Sequence, residues 1–136
     1  MTRSTESSGV LRFASNFSFD VTVQRLHAAF AAHGIKVFAT IDQQAEAVAV
    51  GLSMPPTTLI VFGSPKAGTP LMLANPAAGI DLPLKVLIVE SGAGNVEAFM
   101  NTAKYVIERH ALSPAFEANL SPVERLVANT LTAAKL

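Results

Sequence analysis

The residues of this chain that could do chemistry are few and far apart. It has no cysteine, which removes thiol nucleophiles, disulfides and thiolate metal sites, and its three histidines, His27, His33 and His110, stand at no metal-ligand spacing. His27 falls off the apolar stripe of its helix, and His33 sits at that helix's C-terminal end, where the dipole favours a cation. His110 shares a face with Ala103, Val106 and Ile107 at helical spacing. Asp42 ends one strand and Asp81 precedes another, so the two could meet at one edge of a sheet, where close carboxylates could do acid–base work. The competing reading is that each bonds backbone N–H groups of its own turn, as Asp commonly does.

Two glycine-bearing turns invite a phosphate reading and fail its context test. In "FGSPKAGTP", Lys66 precedes Gly68 by two residues, whereas a phosphate loop needs the lysine directly after its last glycine. In "SGAGN" a strand rather than a helix follows, so a hairpin turn is expected instead of a dinucleotide fingerprint.

The elements that must position these residues follow from periodicity. "VLRFASNFSF" (10–19) alternates as a half-buried strand, and Asp20 offers an N-cap to a helix whose Phe19, Val23, Leu26 and Phe30 form one stripe, closed at Gly34. "IKVFATID" (35–42) reads as a strand, "QQAEAVAVG" (43–51) as a short helix, and "PPTTLIVFG" (55–63) as a third strand. "LKVLIVES" (84–91) and "NVEAFMN" (95–101) form a hairpin, followed by a helix over 102–111. In "SPVE", Ser121 suits an N-cap, Pro122 the first helical position and Glu124 the capping-box position of a last helix. Between strands three and four, "GTPLMLANPAAGIDLP" (68–83) reads as a helix start at Thr69–Pro70, a stop at Asn75–Pro76, and two glycines, Gly68 and Gly79, supplying positive φ.

Composition bounds the function. Half of the 136 residues are hydrophobic and 15% are charged, so the chain can bury a core and is not disordered. Ten basic residues balance ten acidic ones and stand singly, without the basic stripe that a phosphate backbone requires, so nucleic acid is not an expected partner. The polar start "MTRSTESSGV" has no apolar signal region, and no apolar run reaches membrane-spanning length. A cytoplasmic protein without membrane partner is expected, as a single domain over 1–136 with a flexible 1–9 and a helical extension over 113–136.

Asp42, Pro56, Phe62, Gly63, Pro65, Gly68, Thr69, Pro70, Leu71, Met72, Pro76, Gly79, Leu82 and Pro83, in this order, resemble the bacterial domain of unknown function 302 family over about residues 16–112. The resemblance implies an α+β fold of the TATA-binding-protein-like type: a curved antiparallel sheet with helices on one face, commonly a homodimer, with the C-terminal helix as an extra. It implies no established activity. Family members often carry a histidine after the aspartate of the "ID" strand end, where this chain has Gln43, and a proline after the asparagine of "MNTAKY". Two functions follow as expectations. The first is non-catalytic binding of a small apolar molecule or a protein partner, with polar groups Asp42, Lys66, Thr69, Asp81 and His110 at the site and no metal or cofactor. The second is an enzyme with Asp42 and His110 as its acid–base pair. The apolar stripe of the last helix fits either its own core or a second copy.

Overall fold

The first alternating run stops at Ala14, five residues short of its expected end, because Ser18 rather than Asp20 caps the following helix. Its side chain accepts from Val21 N at 3.3 Å, and Asp20 lies inside the first turn. A computed structural model, which describes residues 3–5 and 8–133, places this run as β2 (Val10–Ala14). Before it, Arg3–Thr5 pair with β2 as an edge strand, β1, where the polar start had suggested a flexible segment. The rest of the expectation for 1–9, and the chain after 133, lie partly outside the described residues.

The elements then run α1 (Phe19–Ala32), β3 (Lys36–Asp42), α2 (Gln43–Ala49), β4 (Thr57–Gly63), α3 (Pro65–Ala74), a 3-10 turn (Pro76–Ile80), β5 (Leu84–Ser91), β6 (Asn95–Asn101), α4 (Ala103–Arg109), α5 (Glu117–Leu120) and α6 (Pro122–Thr132). Among the described residues six strands form one antiparallel sheet in the order β1-β2-β6-β5-β4-β3. The fold is thus α+β with an open antiparallel sheet. Helix α1 carries the chain from β2 to the opposite edge, β3, so the first strand of the alternating pattern ends beside the last.

Registry explains which face is buried. Phe13 pairs with Ala98, Ala98 with Ile88, and Val86 with Ile60, which puts these side chains on one face. All five are fully buried, together with Leu26 and Phe30 of α1, Val106 of α4, and Val127 and Leu131 of α6. Phe30 stacks on Phe62 with ring centroids 4.3 Å apart. The stripe of α6 therefore covers the protein's own core, the first of the two uses its periodicity allowed.

The capping box expected at "SPVE" does not form. Ser121 is itself helical and makes no side-chain cap, because α5 runs almost directly into α6. Glu124 instead reaches across to the first N–H of α4, accepting from Ala103 N at 2.7 Å. That carboxylate satisfies an orphan donor at a positive helix end, so it caps a helix 21 residues upstream. Among the described residues no helix is long and apolar enough to cross a membrane.

Candidate functional site

The signature stretch builds two different things. Its first half, from Gly63, opens a cavity of about 300 Å³ at the end of β4, walled by α3, the start of β5 and the α5–α6 segment. Ile35, Phe38, Met72, Leu82, Leu84, Leu120 and Val123 make it apolar, and Ser64, Thr69 and Asn119 are its side-chain polar groups. The amide of Asn119 already donates to Ala67 O at 3.0 Å. Ser64 stands at the N-cap of α3 but makes no side-chain cap, which leaves its hydroxyl for another partner.

Helix α3 begins at Pro65, four residues before the expected Thr69 start, since Pro65 fits the first helical position as well as Pro70 does. Pro70 consequently lies inside the helix, where it cannot donate to the Lys66 carbonyl. Neither Gly68 nor Gly79 adopts positive φ, contrary to expectation; the glycines that do are Gly9, Gly34, Gly51, Gly92 and Gly94. Gly68 is helical and lines the cavity, and a Cβ there would meet only Leu82 Cδ1, at 4.0 Å. A helix-interior glycine costs about 1 kcal/mol relative to alanine. Backbone geometry does not require it here, so what its missing side chain provides is open space.

The second half of the stretch forms a buried polar clamp. Asp81 Oδ2 accepts from His110 Nε2 at 2.6 Å, and Arg109 Nη1 donates to both oxygens of Asp81 at 3.1 and 3.0 Å. A carboxylate in its ionised form only accepts, so this contact calls for the His110 tautomer that carries its hydrogen on Nε2. Asn75 Nδ2 donates to His110 O at 2.9 Å, and Asn75 Oδ1 accepts from Ala77 N at 3.1 Å. His110 is presented by the end of α4, where Ala111 takes φ 51° and Leu112 N bonds back to Ile107 O at 3.0 Å. The clamp ties the β4–β5 connection to α4.

Asp42 is not part of either feature. It pairs with Thr58 at the start of β4, while Leu84, three residues after Asp81, pairs with Phe62 near its end. Four residues of strand, about 13 Å, separate these positions. Of the two alternatives, the meeting of Asp42 and Asp81 at one edge is not realised, because antiparallel pairing sends the two strand ends to opposite ends of the sheet. The acid–base pair of Asp42 and His110 fails for the same reason: His110 faces Asp81, and Asp42 caps α2 by accepting from Ala45 N at 2.9 Å. Lys66 is exposed on the first turn of α3 and does not line the cavity, whereas Thr69 does. His27 Nε2 lies 3.2 Å from Thr40 Oγ1, and His33 Nδ1 lies 2.9 Å from Ala29 O.

Comparison with known proteins bears on these features. The model of the family described as domain of unknown function DUF302 matches residues 11–133, and so takes in α5 and α6 as well as the shorter span of the motif resemblance. A crystal structure of an uncharacterised conserved DUF302 protein from Bacillus stearothermophilus superposes with a TM-score of 0.76 at 17% identity, covering 90% of this chain and 95% of that one. Over 105 residues, 77% of this chain, it is 38% identical to the fluoride-specific ion channel FluC 1 of Brucella suis biovar 1, and equally so to FluC 2 of Brucella melitensis biotype 1. The chain spans about two fifths of these relatives, 41% and 39% of their lengths.

Proposed function

This chain belongs to the DUF302 family, whose description assigns no activity, and from that premise we propose that it binds a small apolar molecule, without catalysis, in the cavity beside α3. The observation that carries this reading is Gly68: a position where a side chain would fit and would strengthen the helix is left empty, and the space opens into the cavity. At about 300 Å³ the cavity is at the small end of ligand sites and about twice the size of one that holds benzene, so a ligand of two to three aromatic rings or a short acyl chain is the expected class. The hydroxyls of Ser64 and Thr69 supply orientation.

The probe that tests it is N-phenyl-1-naphthylamine, an uncharged dye whose emission rises on leaving water. Gly68→Leu is expected to weaken its binding at least tenfold by occupying the cavity, while Gly68→Ala gains about 0.5–1 kcal/mol of stability from helix propensity. Equal titration of wild type and Gly68→Leu would end the cavity reading.

The homodimer implied by the resemblance belongs to the proposal, with the sheet face opposite the helices as its contact. Leu59, Val61, Leu87, Val89 and Phe99 lie there, each half-buried, whereas α6 is used on the core. Light scattering of the wild type should give twice 14.3 kDa, and Leu87→Asp should return it to the single mass. From the channel name of the Brucella relatives, which are more than twice as long as the matched region, we take no ion specificity for this chain. A cavity walled by Leu82, Leu84 and Val123 suits an apolar ligand rather than a small hard anion.

A further inference from the structure

Helix α2 and the segment after it rest against β4 at the sheet edge with much of their apolar side chains turned to water. None of the residues of α2 is buried, and Val48, Val50 and Leu52 are 63%, 71% and 66% exposed. A seven-residue helix is too short to be stable by propensity, and packing usually supplies the difference. Here the fastenings are local: the Asp42 cap and a bond from Gln44 Nε2 to Met54 O at 3.0 Å. With Met54, these side chains leave on the order of 300 Å² of apolar surface open, as much as the largest patch on many monomers.

The charged side chains this segment carries are of one sign. No Lys or Arg occurs between Lys36 and Lys66, while Asp42 and Glu46 do. Asp42, Gln44 and Pro56 share a cleft with Asp20 and Glu90 at the foot of the same segment. A second copy would set acids against acids, and an anionic membrane would be repelled. We propose that residues 42–54 form a docking surface for a basic amphipathic helix of a partner protein, apolar on one side and lined with Lys or Arg.

The test uses a synthetic leucine–lysine amphipathic peptide and its leucine–glutamate counterpart, titrated into the full chain while backbone amide resonances are followed. The expected result is binding of the lysine peptide alone, with shifts centred on 42–54 and affinity falling as salt rises. Leu52→Ser, at an exposed site, should lower affinity about tenfold, and Glu46→Lys several-fold with a weaker salt dependence. Lack of binding up to about 1 mM, equal binding of the glutamate peptide, or shifts centred on the cavity or the open sheet face would each overturn the proposal. So would a dimer that Leu52→Ser dissociates, since the surface would then belong to a second copy.

Discussion

Replacing Asp81 with alanine is expected to destabilise the fold by about 2 kcal/mol, the cost of leaving a buried donor without its acceptor. The estimate follows from what is stranded. The side chains of Asp81 and His110 are 10% and 7% exposed, so the His110 Nε2–H would lose its acceptor in a place water hardly reaches. The Arg109 side chain is 45% exposed and can turn to solvent, so its two bonds add little. Asp81→Asn retains an acceptor for His110 and should cost less than half as much. Urea denaturation reads both, with the midpoint falling and the slope unchanged. A loss below about 1 kcal/mol for Asp81→Ala would mean that the clamp is not structural. A polar cluster outside the cavity would then need another explanation.

That clamp also marks where reading the sequence stops. The hairpin of β5 and β6, the stripe of α1 and the stop at Asn75–Pro76 are set by neighbours a few residues away, and all three appear in the fold. The partner of Asp81 is 29 residues distant and that of Glu124 is 21 residues distant. No local rule could choose between them and a nearer backbone N–H, because the choice depends on which strand ends the antiparallel sheet brings together. The early start of α3 was missed for another reason: Ser64–Pro65 and Thr69–Pro70 are equivalent as helix starts, and only the path from Gly63 selects the first. Of the candidate site residues, Thr69 reached the cavity, Asp81 and His110 found each other, and Asp42 and Lys66 joined neither. The cavity walls in α5 and α6 lay beyond the motif resemblance, and the signal that could have pointed to them is the apolar run of Leu120 and Val123 beside Asn119.

Phe62→Ala should have the largest effect of any single change considered, about 4 kcal/mol of the roughly 10 expected for a domain of this length. Phe62 is fully buried near the end of β4, paired with Val37 and Leu84 on either side and stacked on Phe30 from α1. It thereby joins the helix that spans the sheet to the strand that carries the cavity. Truncation removes the transfer energy of the ring and leaves a void that Phe30, fixed on α1, cannot fill without moving the helix. Phe62→Leu keeps most of the apolar volume and loses the stack, so it should cost about 1–2 kcal/mol. The difference between the two variants separates void from stacking, and the dye titration adds a functional readout. Gly63 and Leu84 line the cavity directly beside Phe62. Phe62→Leu should therefore shift dye affinity while the protein remains folded. An unchanged affinity would mean that the cavity wall is set by α3 and α5 alone.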